Sequence, residues 1–186
     1  MSKPVSIVLL CEDKQLSVFS RRFLKKRGIN QIAEIERPPE AAGGSRKQWV
    51  DREYPRQLEA IRQRSGVALI VCTDADELAV DRRIADLNEA CKKFDIEPRK
   101  DNEPVAMIVP KWNIETWLAY LRGESFDEDK KDNRPSSRYT GYEKECKDQV
   151  LKLIKMCYDK QRLNEPAPAS LKAACKEYKK LNQERY

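Results

Sequence analysis

The sequence predicts an α/β domain, a mostly parallel sheet flanked by helices, followed by a C-terminal helical extension. Three observations predict it. Short apolar, β-branched runs (Val5 to Cys11, Val67 to Cys72 and Val105 to Val109) have the composition of strands buried on both faces of a parallel sheet. Segments of helical periodicity separate them and are long enough for right-handed crossovers. At 186 residues, with 40% apolar and 37% charged side chains, the chain suits one buried core under a wet surface rather than two cores or a disordered coil.

The elements follow in order. After the first strand, Leu16, Phe19, Phe23 and Leu24 recur at helical spacing, and Lys26-Arg27-Gly28 reads as a cationic last turn with a glycine cap. Ile32 to Glu36 alternates as a weaker second strand, and the Pro- and Gly-rich stretch from Pro38 to Ser45 reads as a surface loop. Val50, Tyr54, Leu58 and Ile61 mark a helix that Pro55 is expected to break into two short pieces. The strand Val67 to Cys72 leads into a helix with Val80, Ile84, Leu87, Cys91 and Phe94 on its apolar face. The strand Val105 to Val109 leads through Pro110-Lys111 into a helix carrying Ile114, Trp117, Leu118 and Leu121. Residues 124–138 are dense in charge and aperiodic, a linker or mobile loop, and two amphipathic helices follow in residues 139–186, the last with Ser170 as its expected cap. These helices are expected to pack on the domain (residues 1–123) or on a partner.

Composition narrows the chemistry. Histidine is absent, which removes Ser-His and Cys-His mechanisms and leaves carboxylates, lysine, arginine or a metal. The six cysteines have no metal-chelating or redox-dithiol spacing and read as small buried hydrophobes in a reduced, cytoplasmic compartment. No apolar run approaches a bilayer span and no export signal is visible, so no membrane partner is expected. The net charge is +6, with 12 Lys or Arg against 6 Asp or Glu between residues 19 and 64, where an anionic partner is expected.

In an open parallel sheet, ligands bind outside the carboxyl ends of the strands. Glu12 ends the first strand, Asp74 and Asp76 follow the third, and Glu115 lies a few residues beyond the fourth. Clustered carboxylates repel unless a cation lies among them, and all-oxygen ligation selects Mg²⁺ or Mn²⁺. Lys111 is the nearest cation in the sequence for charge developing on a phosphate, with Arg21 and Arg22 next. The run Gly43-Gly44-Ser45-Arg46-Lys47 suits a phosphate-contacting loop, its glycines letting backbone amides approach an anion.

The order strand-Glu12-helix, then strand-Asp74-Ala75-Asp76, resembles the TOPRIM domain shared by topoisomerases, primases, ribosomal-RNA maturases and nucleases of the overcoming-lysogenization-defect family. The segment Pro110 to Trp117 looks like the strand-to-helix acidic motif of small standalone relatives associated with bacterial defence. The resemblance covers about residues 5 to 123 and implies a Rossmann-like TOPRIM sheet in which Glu12, Asp74 and Asp76 bind Mg²⁺ or Mn²⁺ for phosphodiester chemistry on DNA or RNA. Asp13 stands where many members have glycine, and the glycine often found shortly after Asp-x-Asp is missing. No Gly-x-x-x-x-Gly-Lys-Ser/Thr pattern occurs, so any ATPase is expected to come from a partner, and the partner protein expected is a separate ATPase or a defence-complex subunit. The expected function is a metal-dependent nuclease, with a non-catalytic nucleic-acid- or partner-binding module as the alternative. A phosphoacceptor receiver domain is a third reading, which calls for Asp74 and Lys111 but not for Asp76.

Overall fold

A computed structural model describes residues 6–35, 45–124, 127–130, 146–160 and 162–181. Val5, the segment from Pro38 to Gly44 and residues 131–145 lie outside the described residues. Four strands, β1 (Ser6–Cys11), β2 (Ile32–Glu34), β3 (Val67–Cys72) and β4 (Val105–Ile108), form one all-parallel sheet in the order β2-β1-β3-β4. Helices α1 (Lys14–Lys26), α2 (Arg46–Arg62), α3 (Val80–Lys93) and α4 (Ile114–Arg122) follow the strands in turn. Then come α5 (Cys146–Ile154), extended by a π-helical turn at Lys155–Asp159, and α6 (Ala169–Lys180).

The alternation of side chains along each strand divides the core into two layers. Ile7, Leu9, Ile70, Cys72 and Ile108 face α1, α4, α5 and α6 on one side of the sheet. Val8, Leu10, Leu69, Val71 and Met107 face α2 and α3 on the other. The C-terminal helices therefore belong to the main core. Phe23 of α1 stacks on Tyr178 of α6 at 4.0 Å between ring centres, within the same layer as Trp117 of α4.

Helix α1 ends as expected, with Gly28 at φ +83° and its N–H bonded to the Lys25 carbonyl. Two helix expectations are corrected. Helix α2 runs unbroken through Pro55, because one proline removes a single i→i−4 bond while its ring is buried in the apolar layer under the helix. Its start is secured by a capping box between Ser45 and Gln48. Ser170 does not cap α6, which begins at Ala169 behind Pro168. Glu128 takes that role: its carboxylate accepts from the Ser170 N–H at 3.0 Å and from the Ser170 hydroxyl, while its carbonyl accepts from the Trp112 indole at 2.9 Å. Within the charged stretch 124–138, residues 127–130 are thus tied to the domain. All six cysteines are buried, but they are not all thiols, since Cys157 in the π turn and Cys175 of α6 are joined by a disulfide between Cα atoms 5.5 Å apart. Eighteen residues separate them, so the pairing is set by tertiary packing and no local motif marks it.

Strand β4 is an edge, and an exposed edge carries unpaired amides and carbonyls. Here Glu177 of α6 accepts the Met107 N–H at 2.9 Å, Arg99 donates to the Val105 carbonyl at 2.8 Å, and the two side chains pair at 2.5 Å. Burial works to raise the Glu177 carboxyl, but hydrogen bonds from Arg99, Lys180 and the Met107 amide outweigh it and hold the group below its ordinary value. A depressed carboxyl adds stability above the unfolded value, about 4.3 for glutamate, and that stability is lost as pH falls through the folded value. Glu177→Gln is expected to cost about 2 kcal/mol at pH 7. Denaturant titrations across pH should find the gap to the unaltered protein closing below about pH 4.

Candidate metal centre

The sheet order reverses direction between β1 and β3, so the crevice at their carboxyl ends is the topological switch point where open α/β sheets bind ligands. The β1–β3 register pairs Cys11 with Cys72, which sets Glu12 beside Thr73 and Asp74. The Glu12 N–H donates to the Cys72 carbonyl at 2.9 Å. In return Glu12 Oε2 accepts from the Thr73 hydroxyl at 2.5 Å and from the Asp74 N–H at 3.1 Å.

Behind this contact lies a residue that periodicity did not single out. Arg83 of α3 is 1% exposed, its Nε and Nη2 donating to Thr73 Oγ1 at 3.1 and 2.9 Å and its Nη1 to Asp51 at 2.6 Å. Thr73 Oγ1 accepts two N–H groups, so its one proton is directed at Glu12. Glu12 is thus held by a chain that runs Asp51, Arg83, Thr73, Glu12.

Asp74 and Glu115 are treated in the opposite way. Asp74 Oδ1 and Glu115 Oε2, together with Asn113 Oδ1, are closed to solvent and have no hydrogen-bond partner among the described residues. Burial raises the Asp74 carboxyl well above its ordinary value, reinforced by the charges of Asp13, Glu12, Asp76 and Glu115. Glu115, 8% exposed, is raised first by burial and then by Asp13, against hydrogen bonds from its own backbone amide and from Gln15. Four carboxylates therefore act on Asp74 at the end of the sheet, and one of them, Asp13, acts on Glu115 as well. Asp13 joins Glu12, Asp74, Asp76 and Glu115 while also capping α1 through the Leu16 N–H at 2.9 Å. The signal for Asp13 was present, because an acid in the cap position beside Glu12 lies at the same strand end.

The remaining expected residues are placed less centrally. Asp76 stands in the left-handed region at φ 56°, a conformation aspartate tolerates, and its side chain is 57% exposed and paired with Lys47 at 3.0 Å. It reaches Asp74 as a charge. Lys111 Nζ donates to the Leu78 carbonyl at 2.6 Å, so its ammonium is engaged by the turn between β3 and α3. Arg21 pairs with Glu34 at 3.1 Å, and Arg22 lies at the far end of α1, donating to Cys146 Sγ at 3.2 Å. Arg46 opens α2 and is exposed, one residue before Lys47. Gly43 and Gly44 of the glycine loop lie outside the described residues.

Among the described residues no three Asp, Glu or Cys side chains converge closely enough to hold a metal ion by themselves. The donor chemistry nonetheless fits a hard cation, since the partnerless buried atoms at this strand end are all oxygens, from Asp74, Asn113 and Glu115. Magnesium keeps several waters and is commonly held by one or two carboxylates together with substrate phosphate, which does not require three converging ligands.

Comparison with protein-family models, with curated proteins and with solved structures finds no match to this chain. Among the described residues no helix is long and apolar enough to cross a membrane.

The raised Asp74 carboxyl makes a signed prediction. Its ionisation costs stability as pH rises through the folded value, so Asp74→Asn is expected to melt higher than the unaltered protein in EDTA, by increasing amounts above about pH 4. Each kcal/mol relieved corresponds to about 2–4 °C for a chain of this length, readable by scanning calorimetry across pH. Arg83→Met leaves Thr73 and Asp51 without their donor and is expected to cost about 2–3 kcal/mol in chemical denaturation.

Proposed function

We propose that the chain is a TOPRIM-like enzyme, dependent on Mg²⁺ or Mn²⁺, that acts on phosphodiester bonds as a nuclease. The observation that carries this reading is the pair of buried carboxylates, Asp74 and Glu115, whose inner oxygens lack any partner beside Glu12 at the switch point of the sheet. Unpartnered buried carboxylate oxygens are costly unless something cationic completes them. A role in anti-phage defence, and a separate ATPase subunit, rest on the sequence resemblance alone.

In this reading Glu12 and Asp74 hold the ion, and Glu115 and Asn113 offer further oxygens. A bound ion would supply charge at the phosphate oxygens and lower the pKa of an attacking water. The chain's own residues supply orientation. Thr73 and the Asp74 amide occupy Glu12 Oε2, which leaves Oε1 as the oxygen directed to other partners. Lys47, held 3.0 Å from Asp76 at the rim, is the cation positioned to exchange that partner for a phosphate.

A second reading, a non-catalytic nucleic-acid- or partner-binding module, is favoured by Asp13, which caps α1 at the position where glycine is usual in the family it resembles. Labelled single-stranded DNA, duplex DNA and RNA incubated with Mg²⁺ or Mn²⁺ separate the two. Cleavage that falls about 100-fold or more in both Asp74→Ala and Glu12→Ala is the expected result. Activity that survives both substitutions sinks this site, and binding without cleavage in the unaltered protein selects the second reading.

A further inference from the structure

Several surface cations of the described residues are matched by a carboxylate, as in Arg21 with Glu34, Arg62 with Glu103 and Lys92 with Glu89. Four that share one pocket are not. A pocket of about 250 Å³ between α1 and α5 is lined, among the described residues, by Arg22, Lys25, Lys26, Lys147 and Val150, with no acid among them. None of its four cations forms an ion pair among the described residues, and the nearby Asp148 does not line it. Four like charges around one small concavity repel, and an anion seated among them removes that repulsion.

Stabilisation of the α1 terminus accounts for part of this arrangement only. Lys25 and Lys26 lie in the last turn of α1, where cations suit the helix dipole. Lys147 lies in the first turn of α5, where the dipole disfavours a cation and favours an anion. Arg22 is held in place by Cys146 Sγ at 3.2 Å, at the start of the same helix. Helix α1 also links this pocket to the carboxylates: it carries five Lys or Arg and no acid, and its cap Asp13 belongs to the acidic group. Its 13 residues, at about 1.5 Å each, separate the two sites by about 20 Å.

We propose that this pocket binds a backbone phosphate of a nucleic-acid strand that runs along α1 from the carboxylate end. The inference deepens the nuclease reading and rests on it for the second end of the strand. At about 3.4 Å per nucleotide of a duplex strand, 20 Å corresponds to about six nucleotides, so the pocket selects polynucleotides over mono- and dinucleotides.

The test is fluorescence anisotropy of the full chain in EDTA with labelled 20-nucleotide and 4-nucleotide DNA and RNA at several salt concentrations. It compares the unaltered protein with the triple variant Lys25→Gln, Lys26→Gln, Lys147→Gln, whose folding is checked by circular dichroism. Each phosphate neutralised steepens the log affinity against log salt slope by about 0.7 for a single strand and about 0.9 for a duplex, so the triple variant, which loses the one phosphate of the pocket, is expected to flatten it by about 1 for the 20-mers and to leave the 4-mers unaffected. Equal slopes for the two proteins, equal effects on both lengths, or no 20-mer binding by the unaltered protein would each overturn the inference. Hydrolysis of bis(p-nitrophenyl) phosphate with Mn²⁺ by the unaltered protein reads the carboxylate centre separately. A flattened slope without hydrolysis keeps the phosphate pocket and removes the nuclease reading.

Discussion

The parallel pairing of β1 with β3 is the constraint on which the other features depend. Six residue pairs, from Ser6 with Val67 to Cys11 with Cys72, align two strands that are buried on both faces from their second residue onward. Register in such a pair is strongly specified, because a slip of one residue would exchange every side chain between the two apolar layers. The same register ends both strands together, which brings Glu12 to Thr73 and the Asp74 amide. Glu12, Asp13, Asp74 and Asp76 take their positions from that alignment, either directly or through the turns that leave the two strands, while Glu115 arrives on α4 from the end of β4.

Two kinds of buried polar group meet at this point, and the fold treats them differently. Arg83, Thr73 and Glu12 form a connected set of hydrogen bonds that extends to Asp51, which satisfies a guanidinium that would otherwise be costly to bury. Asp74, Asn113 and Glu115 each keep an oxygen that is closed to solvent and unbonded. A satisfied network stiffens its surroundings, while unsatisfied oxygens are a source of repulsion that a bound cation relieves. A hydrogen-bonded Glu12 at the same strand end as the unpartnered oxygens of Asp74 and Glu115 is the physical content of the candidate centre.

The C-terminal helices complete the domain instead of extending it. Helix α6 packs its apolar side into the same layer as α1 and α4, and through Glu177 it closes the outer edge of β4. Glu128 reaches the start of α6 and the Trp112 indole, so the segment between α4 and α5 also joins the core at that point. Helix α5 contributes one wall of the basic pocket, which gives the C-terminal region a direct bearing on the charged surface of α1.

Much of this was legible in the residues alone. Continuous β-branched runs suit burial on both faces, so three of the four strands, their crossover helices and the strand-end positions of Glu12, Asp74 and Glu115 followed from local composition, and the second strand from the alternation of Ile32 to Glu36. Local pattern also mis-assigned Pro55 and Ser170, because burial of a proline ring and a carboxylate arriving from a distant loop are not visible in a short window of sequence. The Cys157–Cys175 bond, the buried Arg83, the pairing of Asp76 with Lys47 and the Arg22–Lys147 pocket were likewise decided only by tertiary structure. Strand and helix patterns report how a segment meets an apolar core, whereas the partner of a charge is set by which elements the packed chain brings within a few ångströms. The acidic strand end was therefore determined by the sequence, and the unequal standing of its members was decided by the fold.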